Sequence, residues 1–257
     1  MLPGPSLAQH FDAPEDYFGH FGWVCGFSAD APFLNDAAER FTRLTTAKRA
    51  HLGRISLGVF LDPGNPAIAL LDAPGVAHLP IRDGATKPFR LLHAKIALLG
   101  FRHAESSDRW RLRRIVSTGN WTRQTLEESL DLVWRIDVDS EMLAERDSET
   151  LQACADIKAA NGLLQWLEDY FDTRLLTWAQ QGRFNETEAA RQQLNAWVKQ
   201  CSHKTQVPRR FFDSRRNSLL SQLSDRIQSC SNAVARNYLA MGSGFYETAA
   251  DQNRLPD

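Results

Sequence analysis

The feature that most restricts how this chain can fold is a pair of apolar runs separated by a short polar break. The first reads Leu91-Leu92-His93-Ala94-Lys95-Ile96-Ala97-Leu98-Leu99-Gly100, and the second Ile115-Val116-Ser117-Thr118-Gly119-Asn120-Trp121-Thr122. The intervening residues 102–108 are polar and suit a hairpin, which makes the two runs antiparallel strands. Side chains alternate along a strand, so His93 and Lys95 share a face. A turn centred near Ser106 and Ser107 sets His93 across from Asn120 and Lys95 across from Thr118. One patch then holds an imidazole, an ammonium, an amide and a hydroxyl, a combination suited to a tetrahedral anion.

Around this hairpin the first 140 residues alternate between strand and helix signals, which argues for an α/β layer structure. Residues 1–19 are rich in Pro, Gly and acidic groups and read as an N-terminal arm. Residues 21–27 read as a buried strand. Ser28 or Asp30 then caps a helix with Phe33, Ala37, Phe41 and Leu44 on one face. Residues 54–61 form a second strand closed by the turn Asp62-Pro63-Gly64-Asn65-Pro66, residues 76–81 a third, and residues 130–138 the last. The α/β domain accordingly spans 20–140. From 141 to 237 the sequence turns helical and reads as an insertion or linker, with apolar stripes such as Leu163, Leu167 and Phe171, then Trp197 and Val198, then Leu219, Leu223 and Ile227. Residues 238–257 return to strand character and faintly echo residues 24–30, as the first strand of a second repeat.

Composition sets the limits on function. A chain with 43% hydrophobic and 24% charged residues is an ordinary globular one. Its formal net charge of -1 excludes wholesale attraction to nucleic acid or anionic lipid, so a phosphate-binding surface must be a local patch. Two arginine-rich runs offer such patches: Arg109, Arg111 and Arg113 around Trp110, and Arg209, Arg210, Arg215 and Arg216 around Phe211 and Phe212. Arginine with aromatics suits backbone contact and base stacking, although such runs are more often solvated or ion-paired. The cysteines Cys25, Cys154, Cys201 and Cys230 show no CxxC spacing, which favours a reduced, cytoplasmic setting. No window has the roughly 18 apolar residues that a membrane helix needs, and residues 1–5 do not open a signal peptide.

The chemistry of the hairpin follows from its residue types. Phosphoryl transfer needs positive charge against the nonbridging oxygens and an in-line nucleophile. Lys95 supplies the charge, Asn120 a neutral N–H donor, and His93 a nitrogen able to attack phosphorus and form a covalent intermediate. Asp131 is the nearest candidate to orient the imidazole. With a lysine clamp no divalent metal or other cofactor is required.

At these residues the sequence resembles the phospholipase D superfamily, whose motifs are HxK, then G-S-x-N, then N-x-E. His93-Ala94-Lys95 is similar to the HxK, and Ser117-Thr118-Gly119-Asn120 to the G-S-x-N with Thr118 for Ser. Gly100 stands five residues after Lys95, where many members have Asp, and Ser129 and Asp131 stand where the N-x-E falls. Lacking that Asp, the chain is more similar to the tyrosyl-DNA phosphodiesterases and related nucleases than to the lipases. The resemblance covers residues 20–138. It implies a mixed sheet sandwiched by helices, and catalytic roles for His93, Lys95 and Asn120 with Thr118, Ser129 and Asp131 in support. It also implies a second HxK half, from a longer polypeptide or a second copy, because members build one site from two halves. The implied activity is phosphodiester cleavage, of nucleic acid or a DNA-end adduct. Two other readings stay open: cleavage or transfer of a phospholipid headgroup, and an inactive nucleic-acid-binding subunit that keeps the phosphate pocket.

Overall fold

Hydrogen-bond pairing, more than helix content, decides the architecture, because the six strands among the described residues join one mixed sheet in the order β3-β2-β1-β4-β5-β6. The computed structural model describes residues 6–84, 86–128, 131–145, 147–177, 186–201, 207 and 209–230. They belong to two units, Met1–Arg210 and Phe211–Asp257. The strands are β1 Tyr17–Gly26, β2 Leu57–Leu61, β3 Val76–Leu79, β4 Ile96–His103, β5 Trp110–Ser117 and β6 Val133–Asp139. β1, β2 and β3 run parallel, and β4, β5 and β6 pair antiparallel to their neighbours. The helices are α1 Ala31–Thr42, α2 Thr46–Leu52, α3 Arg123–Glu128, α4 Met142–Glu145, α5 Ser148–Glu168, α6 Arg174–Thr177, α7 Glu186–Gln200 and α8 Leu219–Cys230. The first seven belong to the first unit and α8 to the second. The expected α/β class and mixed sheet are therefore present.

Near-continuous apolar strands such as β2, whose five residues are all buried, require cover on both faces. On one face a 3-10 helix, Leu7–Phe11, and α1 bring Leu7, Phe11, Phe33 and Phe41 against Val24, Val59, Leu99 and Phe101. On the other, α5 packs on β4, β5 and β6, and α7 on β1 and β5. Trp197 of α7 stacks on Trp110, with ring centroids 5.9 Å apart. This second layer explains Gly100. A Cβ there would lie 2.8 Å from Leu194 and 3.0 Å from Trp197, so α7 presses on the strand where the resembled family has a carboxylate.

Several boundaries differ from the sequence reading. Residues read as an arm up to 19 supply Leu7, Ala8 and Phe11 to the core and begin β1 at Tyr17. Apolar residues spaced along so short a segment give no strong helical period, which is why the packing was not legible. The helical stretch after 141 is no mere insertion, since α5 and α7 form the sheet's second cover. α5 ends at Glu168, before Phe171 of the expected stripe, and α8 starts at Leu219. Asp30 is the cap of α1, as expected, its Oδ1 accepting from Phe33 N–H at 2.8 Å. Thr45 caps α2, a helix hidden by its polar composition, and Gly53 closes it with φ 64°. The expected strand at 238–247 lies outside the described residues.

Trp121 ties the layers together. Its indole is fully buried, donates from Nε1 to the Cys25 carbonyl at 2.8 Å, and meets the rings of Phe11 and Phe33 with centroids 5.7 and 5.8 Å away. Trp121→Phe keeps most of the ring but removes that hydrogen bond, and should cost about 0.5–1.5 kcal/mol. Trp121→Ala leaves a cavity and should cost about 3–5 kcal/mol. Urea unfolding measures both, and two values below about 0.5 kcal/mol, the level of an ordinary surface substitution, would refute this role.

Candidate active site

The direction of the strands gathers the chemistry at one edge of the sheet. β5 runs with β1, β2 and β3, so the carboxyl ends of these four strands meet the amino ends of β4 and β6. Such edges are where α/β sheets bind ligands. Asp62 follows β2, His93 and Lys95 lead into β4, Ser117 to Asn120 leave β5, and Asp131 leads into β6.

The hairpin register is one residue away from the expected one. Ile96 pairs with Val116 and Ala97 with Ile115, and the Ser117 N–H donates to the Lys95 carbonyl at 3.0 Å. His103 N–H donates to the Arg109 carbonyl, which centres the turn on Ser106 alone. Lys95 therefore lies across from Ser117, not Thr118, and the ladder does not continue to pair His93 with Asn120. Asn120 reaches this edge by another route. Trp121 N–H donates to the Ser28 carbonyl and Asp30 N–H to the Trp121 carbonyl, so the chain leaving β5 bridges to the end of β1. Asp30 clamps both helices that start here, its Oδ2 accepting from Arg123 N–H at 2.7 Å.

His93 and Lys95 do meet. The Lys95 ammonium lies 3.0 Å from each ring nitrogen of His93, the lysine is buried, and the imidazole stays exposed to solvent. Partial desolvation and the adjacent ammonium push the His93 pKa below the ordinary imidazole value, while the negative field of Asp62 pulls the other way. His93 is thus neutral at pH 7, the form able to attack an electrophile. Burial also lowers the Lys95 pKa, against the fields of Asp131 and Cys25.

Asn120 holds its Oδ1 buried with no hydrogen-bond partner among the described residues. A buried polar atom left so is costly, and an incoming donor would satisfy it. The two ends of the amide can exchange by a flip, so the same position can present N–H. Thr118 turns toward β6: its hydroxyl donates to Asp131 Oδ1 at 2.8 Å and accepts from Leu132 N–H at 3.0 Å. Asp131 Oδ2 is buried and also lacks a partner among the described residues. Asp131 thus acts on Thr118 and Lys95, and the acidic field on His93 comes from Asp62 instead. Gly119 is required by this arrangement, since a Cβ there would lie 2.6 Å from Asp131 Oδ2 and 2.4 Å from Thr125 Cγ2. Ser129 lies outside the described residues.

Three neighbours had no signal as site residues. Asp62 reads in sequence only as the start of a turn. Phe27 packs its ring 5.3 Å from the His93 ring. Cys25 donates from Sγ to the Ala94 carbonyl at 3.5 Å, and burial pushes its thiol up to about 12, so it is inert as a nucleophile. Among the described residues no group of three or more His, Cys, Asp or Glu converges to hold a metal.

Arg109, Arg111, Arg113, Arg210 and Arg215 of the two runs form ion pairs elsewhere. Arg111 and Arg113 pair with Asp139 and Asp137, the residues directly across β6, at 3.0 and 2.6 Å, and Arg109 pairs with Glu141 at 2.7 Å. Arg113 is buried, and also donates to the carbonyls of His10 and Asp12. Arg210 binds the fully buried Asp156 of α5 at 2.8 Å, with Arg114 on the same carboxylate's field and 3.5 Å above the Trp134 ring. Arg209 is exposed in the first unit. In the second unit Arg215 pairs with Asp213 at 2.8 Å, and Arg216 is exposed. The second run is thus divided between the two units. No family model, curated protein or solved structure matches this chain. No helix among the described residues is long and apolar enough to cross a membrane.

Two outcomes test this geometry. Lys95→Met removes a charge that disfavours protonation, so the His93 pKa should rise towards about 6.5, the ordinary value, in an NMR titration; no rise contradicts the contact. Gly119→Ala should cost about 1–3 kcal/mol by overpacking and displace Asp131 from Thr118, read from unfolding and from the Thr118 amide shift. An unchanged Thr118 environment contradicts the close approach.

Proposed function

We propose that this chain carries one half of a metal-independent phosphodiesterase site, acting on nucleic acid or a DNA-end adduct, with His93 as the nucleophile. The single observation that supports it best is the neutral, exposed imidazole of His93 with the buried Lys95 ammonium 3.0 Å away, at the carboxyl edge of the sheet. A phosphoryl oxygen that enters replaces the imidazole as the ammonium's acceptor and frees a ring nitrogen. That nitrogen attacks phosphorus, forming an N–P bond while the ester P–O bond breaks. The leaving oxygen takes its proton from an acid supplied by a second half, a second copy of the chain or another part of a longer polypeptide. Water then attacks phosphorus, the N–P bond breaks back to neutral His93, and the water's proton returns to the same acid.

Lys95 and an amide N–H of Asn120 stabilise the charge on the nonbridging oxygens. Lys95 supplies, as a fixed point charge, what a divalent ion supplies in other phosphoryl-transfer sites. The nucleic-acid substrate class rests on the resemblance to the tyrosyl-DNA phosphodiesterases, not on Arg109, Arg111 or Arg113, whose charges are taken up by the acidic residues of β6 and by Glu141.

The expected outcome is cleavage of bis(p-nitrophenyl) phosphate and of an oligonucleotide with EDTA present. His93→Ala should lower kcat by about a thousandfold or more, the scale of removing a covalent nucleophile. Because His93 attacks unprotonated and its pKa is lowered, the limb of the kcat/KM profile that reports it should fall only below about pH 6.5. Turnover that survives His93→Ala, or that EDTA abolishes, overturns the proposal.

A further inference from the structure

The carboxylate that serves His93 does not come from where the motif pattern puts it. Asp131 is committed to Thr118 through Oδ1, rests Oδ2 over Gly119, and its field falls on Lys95. Asp62, the residue that follows β2, is the carboxylate whose field reaches the imidazole. Its side chain is buried, with the residue 5% exposed. Oδ2 accepts from the N–H of Leu92, the residue before His93, at 2.9 Å, and Oδ1 accepts from Gly64 N–H at 3.0 Å. The Asp62 N–H points at the carbonyls of Gly26 and Phe27, 3.3 Å from each. The adjacent Asn65 amide donates both to the Asp62 carbonyl at 3.1 Å and to the Phe27 carbonyl. Phe27 is the residue whose ring packs on His93.

We infer that Asp62 is the positioning residue for His93, gripping the segment that carries it through the Leu92 amide and so holding a negative charge beside that segment. Burying a carboxylate costs several kcal/mol unless it is paired, and backbone N–H bonds to Leu92 and Gly64 offset that cost here. They also fix the carboxylate on the backbone one residue before the imidazole on which charge develops. A neutral imidazole that attacks phosphorus becomes cationic, because the nitrogen that does not attack keeps its proton. A fixed anion then stabilises the transition state more than the ground state. The ionisable groups whose fields act on His93 are Lys95, which opposes its protonation, and Asp62, which favours it. The effect on rate rests on the phosphodiesterase reading, while the positioning does not.

Asp62→Asn keeps an acceptor for Leu92 and removes the charge, so it separates the two. The His93 ring protons in Asp62→Asn should titrate at lower pH than in the wild type, and kcat should fall about tenfold or more with KM held within about twofold, the signature of an interaction made in the transition state. A His93 titration that is unchanged or shifted upward overturns the inference, whatever happens to turnover. Should the variant not fold, the wild-type chain decides: the Leu92 amide shift should follow the acid titration of the Asp62 carboxyl carbon, and a flat Leu92 amide overturns the grip. If His93→Ala leaves turnover intact while Asp62→Asn still lowers the His93 pKa, the phosphodiesterase reading fails and the assignment of Asp62 stands. If His93→Ala abolishes turnover and Asp62→Asn changes neither pKa nor kcat, the reverse holds.

Discussion

One buried hydrogen bond, from the Trp121 indole to the Cys25 carbonyl, holds the candidate site in register. β5 and β1 are not neighbours in the sheet, because β4 lies between them. Where the β4 ladder ends, the chain leaving β5 holds to the start of β6 through Thr118 on one side and to the loop beyond β1 on the other. Trp121 makes that join, with its ring sealed between Phe11 and Phe33 and its backbone bridged to Ser28 and Asp30. The Asp30 side chain then caps α1 and holds Arg123 at the start of α3. Asn120 is one residue before this anchor, so its placement follows from packing on the far face of the sheet. Core and chemistry are therefore coupled through a single side chain.

At the edge itself, charge is distributed with unusual economy. Lys95 is buried between the field of Asp131 on the β6 side and the imidazole of His93, which has Asp62 acting on it from the β2 side. The two carboxylates divide the work, one keeping the ammonium charged and the other supporting the histidine. Neither serves both. Strong burial of like charges would defeat such a site, and here the arginines of β5 are drawn off into cross-strand pairs with β6 instead. That pairing keeps the positive charge presented at the edge local, as the near-zero net charge requires.

The α/β class and the hairpin could be read from the sequence because apolar period and turn composition act locally. His93, Lys95 and Asn120 were legible for the same reason, as polar groups in apolar runs. What was not legible depends on tertiary contact. The register moved by one residue because the turn is centred on Ser106, a choice set by the whole ladder and not by the loop's polarity. Arg111 and Arg113 read in sequence as a nucleic-acid face, whereas in the sheet Asp139 and Asp137 of β6 lie directly across from them. Asp62 looked like a turn residue because the bond that gives it a role reaches Leu92, thirty residues away. The 3-10 helix Leu7–Phe11 is too short to carry a period, yet it fills the core.

On the proposed function, His93, Lys95 and Asn120 together hold a tetrahedral oxyanion that expands to five-coordinate. Orthovanadate tests it without needing turnover or a second half. In a titration followed by NMR, the His93 ring, the Lys95 ammonium-bearing methylene and the Asn120 side-chain amide should move along one saturating curve, and His93→Ala should abolish it. Movement of His93 with Asn120 unaffected, or saturation that survives His93→Ala, would contradict the account.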